Sequence, residues 1–524
     1  MNGYCKKDFQ EARWCEPIVM ELGQRGQRGV SVPPAASEAL AATQNKTLLP
    51  DCLKRRRPPA LPELSQMQVV RHFTRLSQEI LGTDINIDIG LGTCTMKYSP
   101  KIHEQFVRSE KLSELHPYQD ESTVQGVLEI IYRLSEYLKA ISGLDCVSLQ
   151  PSGGSQAVFA NVEVLKAYLK SKGQQDQRTE IITTMLSHPC NPGAAATLGF
   201  TVKTLMPGED GLPSLDELKG LLSEKTAALM ITNPEDTGIY NRNIKAFVDA
   251  VHEAGGLCIY DQANLNGLFG ITRAREAGFD MCSYNLHKSF SSPHGCQGPG
   301  TGAQCVRDFL APFVAGPVVT FDGSSYHLED NGPQSIGKLR KFYGIPAVCV
   351  RAYSYIRSLG AGGLKEVAEL AILNNNYMLK KMSDIPGLEL PWSENGTLRL
   401  EQARLSFKKL TQETGVTTDD IARRIVDYGF QDFFTSHLPR VVEEPFTPEP
   451  AETYAKADID EYVEAIRSVV REAYENPELV KGAPYKAALS DKIDPEGLTR
   501  WDKFATTWRA YLKYVAKRNP DDAR

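Results

Sequence analysis

Between about residues 125 and 345, apolar residues follow two rhythms in turn: short, nearly continuous runs, and stretches that repeat every three or four positions. The runs are Ile181-Ile182, Val202 to Leu205, Ala228 to Ile231, Leu257 to Tyr260 and Met281 to Tyr284. They are too short for helices and have no polar face, which predicts strands buried on both sides. Between them, patterns such as Ile244, Phe247, Val248 and Val251 put one apolar stripe on a helix. Such alternation predicts an α/β domain built on a largely parallel sheet, with ligands bound beyond the carboxyl ends of the strands. Asn233, Asp261 and Lys288 all fall at those ends.

The pattern changes further along. Ala347 through Tyr355 and on past Leu364 to Leu379 reads as one long helix, broken near Gly360 to Gly363. Arg404 to Leu410 then reads as a strand, and Asp419 to Val426 and Ile459 to Tyr474 as helices, the α+β pattern of a smaller domain. Residues 1–61 lack sustained periodicity and carry Pro33-Pro34 and Pro58-Pro59, so they read as an extended arm; Val69, Phe73 and Leu76 then begin helical spacing. Trp501, Phe504, Trp508 and Tyr511 mark an amphipathic helix in a C-terminal extension. The expected organisation is therefore an arm over 1–61, a large α/β domain over 62–380, a small α+β domain over 381–475 and a helical extension over 476–524.

Composition narrows the classes without choosing among them. The chain has 524 residues, 41% hydrophobic and 24% charged, as in ordinary soluble proteins, and a net charge of -6 leaves no basic footprint for nucleic acid. One basic cluster, Lys54 with Arg55-Arg56-Arg57, precedes Pro58-Pro59 and reads as a solvated linker. The 11 cysteines are scattered with no Cys-x-x-Cys pair, so neither a metal site nor a disulfide framework is expected. There is no apolar run of about 18 residues and no charged-apolar leader, and a cytoplasmic location with no membrane contact is the expectation.

The candidate chemistry starts at Asn285-Leu286-His287-Lys288, where a lysine follows an apolar strand and precedes a glycine-rich stretch. An amine so placed can form a Schiff base with an aldehyde cofactor, although most lysines are only solvated surface charges. Upstream, Leu257-Cys258-Ile259-Tyr260-Asp261 reads as a buried strand ending in an acid, and Asp261 suits a carboxylate that pairs with a pyridinium nitrogen. The plainer reading of Asp261 is a turn or cap residue. Gln150-Pro151-Ser152-Gly153-Gly154-Ser155-Gln156 supplies free backbone amides just before a helix marked by Val158, Val162, Leu165 and Leu169, a suitable cradle for phosphate. Together the three elements point to pyridoxal 5'-phosphate.

Longer motifs sharpen this. Leu91-Gly92-Thr93-Cys94-Thr95-Met96-Lys97-Tyr98-Ser99-Pro100-Lys101, Leu115-His116-Pro117-Tyr118-Gln119, Glu121 with Thr123-Val124-Gln125-Gly126, and Ser335-Ile336-Gly337-Lys338 with Phe342-Tyr343-Gly344 run nearly letter for letter with one family. From about residue 62 to about residue 470 the chain resembles subunit 2 of the glycine cleavage system P-protein, the pyridoxal-bearing half of a two-subunit glycine decarboxylase. The resemblance implies an aspartate-aminotransferase-like α/β fold (fold type I), with Lys288 holding the cofactor, Asp261 on its ring nitrogen and His188 stacked on its face. A histidine at 188 that merely bonds a carbonyl is the alternative. Ser152, Gly154, Ser155, Gln156 and His287 are expected near the phosphate, and Asn233 and Ala263 beside the ring. On the substrate side stand Thr95, Lys97, His116 and Asn264, with Arg351 or Arg340 for the substrate carboxylate. The resemblance also implies glycine or another small amino acid as substrate, and as partners a subunit 1 homologue and the lipoyl arm of an H-protein. A homodimer or heterotetramer is the expected assembly.

The chain departs from the family pattern in places. Gly295-Cys296-Gln297-Gly298 replaces four glycines, Gln262 a glycine or alanine, Ala157-Val158 a glycine and a glutamate, and Gln431-Asp432-Phe433-Phe434 a proline-bearing turn. Two alternatives to glycine decarboxylation therefore stand: the same ring chemistry on another amino acid or acceptor, or a non-catalytic assembly subunit. Retention of Lys288 and Asp261 counts against the second.

Overall fold

The computed structural model describes residues 16–485 apart from 28, 31, 45–49, 58–60, 79–86, 96, 294–299, 394, 395 and 397. The Gly295–Gly298 loop and the aromatic stripe at 501–511 lie outside the described residues. Packing separates the described residues of Leu81–Gly482 from those of Phe9–Ile80 and Ala483–Arg524. Within the latter unit, the helix Gln66–Gln78 buries His72, whose Nδ1 lies 2.9 Å from Glu16 Oε1.

The first unit is organised by a seven-stranded sheet of β1 (Cys146–Ser148), β2 (Glu180–Thr184), β3 (Thr201–Leu205), β4 (Thr226–Thr232), β5 (Leu257–Gln262), β6 (Met281–Asn285) and β7 (Gly302–Val306), in the spatial order β1-β7-β6-β5-β4-β2-β3. Neighbours from β3 through β6 are parallel, and β7 runs antiparallel to both β6 and β1. Because β7 reverses twice, the carboxyl ends of β1, β4, β5 and β6 share one edge with the start of β7.

Side-chain alternation explains the apolar runs. Leu229 and Ile231 of β4, Cys258 and Tyr260 of β5, and Cys282 and Tyr284 of β6 enter the core on one face of the sheet. Ala228, Met230, Ile259 and Met281, one residue out of step, enter the core on the other, with Val158, Val162 and Leu165 of the helix Gly154–Ser171. Both faces are covered, so the central strands have no solvent side to mark with polar residues.

The long helix spans Pro346–Met382 and departs from helical geometry at Gly360 (φ 65°, ψ -175°), a left-handed position that glycine takes without a Cβ penalty. Its far end carries Met378 and Met382 into a separate core with Ile421 and Ile425 of the helix Thr418–Val426 and Ile459, Val463, Ile466 and Val470 of the helix Lys456–Glu475. The stretch expected as a strand from Arg404 to Leu410 is strand only at Leu405–Ser406, paired with Pro445–Phe446, and a helix begins at Lys408. Burial of Phe407 and Leu410 against that core, not strand alternation, accounts for the apolar residues there. Among the described residues no helix is long and apolar enough to cross a membrane.

Candidate active site

A cleft of about 1300 Å³ opens at the carboxyl edge of the sheet. Its wall includes Lys288, three residues past β6, and Asp261 and Ala263 at the end of β5. Parallel pairing sets Asp261 opposite Ser283, so the acid and the lysine come from neighbouring strand ends. Both side chains are buried, at 2% and 8% exposure. Burial pushes the Asp261 carboxyl above its ordinary range, against the Ala263 N–H that its Oδ1 accepts at 3.0 Å and the charge of Lys288. It forms no ion pair with the described residues, so a buried carboxylate here is short of a cation.

The loop after β1 closes one end of the cleft with Ser152, Gly153, Gly154, Ser155 and Gln156. Its shape follows from close backbone contacts. Gly302 N, at the start of β7, donates to Pro151 O at 3.0 Å, and a Cβ on Gly302 would lie 2.5 Å from Gly153 O. A Cβ on Gly154 would lie 2.3 Å from Asn285 Oδ1, so the first turn of the helix can sit against β6 only as glycine. Ser152 donates from both N and Oγ to Gln156 Oε1, at 2.6 and 2.7 Å. The helix Gly154–Ser171 thus presents its amino end, rich in unpaired N–H groups, to the cleft.

His188 lines the cleft, and its Nδ1 accepts the Cys190 N–H at 3.1 Å, which leaves the ring proton on Nε2. Burial, with His437 and Lys288 nearby, lowers its pKa to about 4, so the ring is neutral near pH 7 and can lie against an aromatic cofactor. His437 packs against it with ring centroids 4.4 Å apart at 69°. His437 Nδ1 is 3.3 Å from Asp236 Oδ2, the oxygen that also accepts from Arg404 Nη2 at 2.6 Å. Burial raises the Asp236 pKa, but Arg404 and His437 outweigh it and hold the carboxyl at about 2. The thiol of Cys190, in the same wall, is pushed by burial up to about 12. His287 also lines the cleft, with Nδ1 accepting the Thr301 N–H at 3.2 Å.

Other expected site residues take different places. Thr95 and Lys97 line the cleft, but the Lys97 ammonium is committed: Nζ donates to Asn266 Oδ1, Tyr355 OH and Glu452 Oε1 at 2.8, 3.0 and 3.0 Å. Asn264 is absent from the lining and donates from Nδ2 to Glu449 Oε1 at 3.0 Å. Asn233 stands back from the cleft, its amide spent on the turn, accepting from Asn241 N at 2.8 Å and donating to Asn241 O at 3.1 Å. His116 is exposed outside the lining, its Nδ1 accepting from Tyr118 N at 3.1 Å. Arg351 is held by both oxygens of Glu104 and does not reach the lining. Arg340 is half-buried and outside it as well.

Sequence reading missed Glu449, Glu452, His437, Asp236 and Arg404. The one local signal was Glu449-Pro450-Ala451-Glu452, two acids in an otherwise apolar, proline-bearing run with no basic residue beside them. A second group, His252, Cys258 and Asp280, is explained by packing, because Asp280 Oδ2 accepts the Cys258 N–H and lies 2.8 Å from His252 Nε2.

Comparison with known proteins places this geometry. The "Probable glycine dehydrogenase (decarboxylating) subunit 2" of Pyrococcus horikoshii is 41% identical over 97% of this chain and 99% of its own length. The chain belongs to the glycine dehydrogenase (decarboxylating) subunit 2 family. A protein of the same description from Oceanobacillus iheyensis is 39% identical over 90% of this chain and 95% of its own. Residues 367–483 match the family profile "Glycine dehydrogenase, C-terminal domain" and residues 152–332 match "Aminotransferase class-V". The fold is that of the crystal structure of glycine decarboxylase (P-protein) of the glycine cleavage system in inhibitor-bound form, with a TM-score of 0.67 at 18% identity, covering 83% of this chain and 95% of the other. The family's enzymes depend on pyridoxal phosphate, and the cleft fits that group: a buried acid with no ion pair among the described residues, a neutral imidazole, a glycine-shaped helix start and a lysine at a strand end.

Proposed function

We propose that this chain decarboxylates glycine with pyridoxal phosphate, releases CO2 and passes the aminomethyl group to the lipoyl arm of an H-protein, working beside a subunit 1 homologue. The observation that carries the reading is the joint placement of Lys288 and Asp261 at adjacent strand ends in one cleft with His188. When bound, the cofactor draws electrons from the bond at the substrate's α-carbon. Lys288 would hold the cofactor covalently through Nζ. Asp261 would accept the ring N–H, and the ring would supply the cation that its buried carboxylate is short of. His188 would pack against the ring without adding charge. The amides at the start of the helix Gly154–Ser171, with Ser155, would bind the phosphate, and Ser152 would join them on turning its hydroxyl away from Gln156 Oε1.

In this reaction the bond from the α-carbon to the carboxylate breaks and a carbon–sulfur bond forms at the acceptor disulfide. The second sulfur leaves with the electron pair and takes up a proton. The acceptor disulfide is external in this reading: among the described residues the cysteines are free thiols, and burial raises the pKa values of Cys94 and Cys190 in the cleft wall.

A second reading, the same chemistry on another amino acid or acceptor, is favoured by one observation: Gln431 and Phe434, from the segment that departs from the family pattern, line the cleft. Exchange of labelled bicarbonate into glycine, with subunit 1 and lipoylated H-protein supplied, tests the first reading. Exchange absent for glycine but present for another small amino acid would transfer the conclusion to the second. A protein that remains colourless with added pyridoxal phosphate would overturn both.

A further inference from the structure

Two acids three residues apart tie Thr95 and Lys97, which line the cleft, to Asn264 and Asn266, which follow the lining residue Ala263, in matching steps. Glu449 accepts from Thr95 Oγ1 at 3.2 Å through Oε2 and from Asn264 Nδ2 at 3.0 Å through Oε1. Glu452 accepts from Lys97 Nζ at 3.0 Å through Oε1 and from Asn266 Nδ2 at 3.3 Å through Oε2. Each acid therefore holds one residue of the 95–97 loop and one of the 264–266 loop, in the same order along all three segments. Thr95 and Lys97 are buried, at 2% and 6% exposure, and the Lys97 ammonium makes three bonds within the protein.

Three further observations tie this bridge to its surroundings in the cleft. Thr95 is left-handed (φ 40°, ψ 64°), a conformation disfavoured for a β-branched residue, and its hydroxyl is bonded to Glu449 in that state. Across the bridge, Asn264 Oδ1 accepts from Ser289 Oγ at 3.3 Å, and Ser289 Oγ accepts from Leu265 N at 2.7 Å; Ser289 adjoins Lys288. The Glu449 backbone N–H also donates to Ile89 O at 2.9 Å, at the base of the segment that leads to Thr95.

We propose that Glu449 and Glu452 are positioning residues for the amino-acid subsite: Glu449, acting through Thr95 and Asn264, and Glu452, acting through Lys97 and Asn266, fix the cleft wall that faces the substrate. The inference rests on the reading of the cleft as a pyridoxal site for a small amino acid. Burial, reinforced by Glu401, raises the pKa of Glu449 to about 8, against the bonds from Asn264 and Thr95 and the charge of Lys288.

The test uses full-length protein with four single variants, Glu449→Ala, Glu449→Gln, Thr95→Val and Thr95→Ser, and the double variant Thr95→Val/Glu449→Ala. Three readouts are taken: visible absorbance on titration with pyridoxal phosphate, the glycine concentration that half-saturates the spectral change and the bicarbonate exchange, and Tm. Glu449→Ala and Thr95→Val should take up the cofactor normally and shift half-saturation by glycine about ten- to hundredfold, as expected when a buried partner loses its bond. The double variant should be no worse than the singles, because the two residues act as one unit. Glu449→Gln and Thr95→Ser should stay within about threefold of the parent.

A fall in Tm with unchanged half-saturation would overturn the proposal by reducing the bridge to a fold contact, and so would additive effects in the double variant. If Glu449→Ala does not fold, Thr95→Val decides the matter alone. A parent protein with no bicarbonate exchange, whose glycine-induced spectral change still weakens in the variants, would sink the decarboxylase reading and leave the positioning role standing.

Discussion

The guanidinium of Arg351 is bound to the carboxylate of Glu104 through two bonds, Nε to Oε1 at 2.5 Å and Nη2 to Oε2 at 2.9 Å. Glu104 lines the cleft and Arg351 stands behind it, so what the cleft meets at this point is an acid already satisfied. Bonding to Arg351 holds the Glu104 carboxyl below its ordinary range.

The pair should behave as one structural unit. Arg351→Ala and Glu104→Ala are each expected to lower stability by about 1–2 kcal/mol and to change half-saturation by glycine to a similar small extent. Thermal melts and glycine titrations of both variants check this. A large loss of glycine binding in Arg351→Ala alone would restore Arg351 as the carboxylate-binding residue.

The neutral state of His188 makes a prediction about pH. A folded pKa of about 4, below the ordinary 6.5, means that the unfolded chain binds the extra proton first as pH falls. Stability from this group is complete above about pH 6.5 and is lost progressively toward pH 4, on the order of 2–3 kcal/mol. Melts of the parent and of His188→Asn across this window should converge as pH drops, with the variant missing that slope.

Gly154 and Gly126 form a matched pair. A Cβ at 154 would meet Asn285 Oδ1 at 2.3 Å, whereas one at 126, within the helix Gln125–Ser142, would meet nothing within 4 Å. Gly154→Ala should weaken pyridoxal phosphate binding tenfold or more, roughly the effect of a displaced cradle. Gly126→Ala should leave binding unchanged and stabilise by about 0.5–1 kcal/mol. Cofactor titration with parallel melts separates the two.

Lys288 and Asp261 should fail in different ways. Lys288→Ala is expected to show no lysine-linked visible absorbance with added pyridoxal phosphate. Asp261→Asn, which cannot offer the ring nitrogen a negative charge, should still take up colour but lose about 10²–10⁴-fold in bicarbonate exchange. An Asp261→Asn variant with unimpaired exchange would remove the acid from the chemistry.

Much of the fold was legible because its signals are local. The apolar runs of β4, β5 and β6 and the stripe of the helix Ile244–Glu253 sit within windows of a few residues, and the break at Gly360 is marked by glycine itself. The stretch after Arg404 was misread because a short apolar run has no period by which to tell a strand from a buried helix end. Asn233 was expected to set a turn beside the ring; its amide closes that turn, but the residue stands back from the cleft lining. A strand end establishes which edge a residue occupies, not the direction its side chain takes.

From the order of residues alone came the candidates that the fold gathers in one cleft: a lysine, an acid and a glycine-bearing helix start, each announced by its neighbours in the chain. Tertiary structure alone decided what surrounds them. Thr95 meets Glu449 across 354 positions, Lys97 meets Glu452 across 355, and Arg351 is taken by Glu104 across 247. A buried polar group must find a partner wherever the fold brings one, and that choice depends on packing between segments whose separation along the chain carries no record of it.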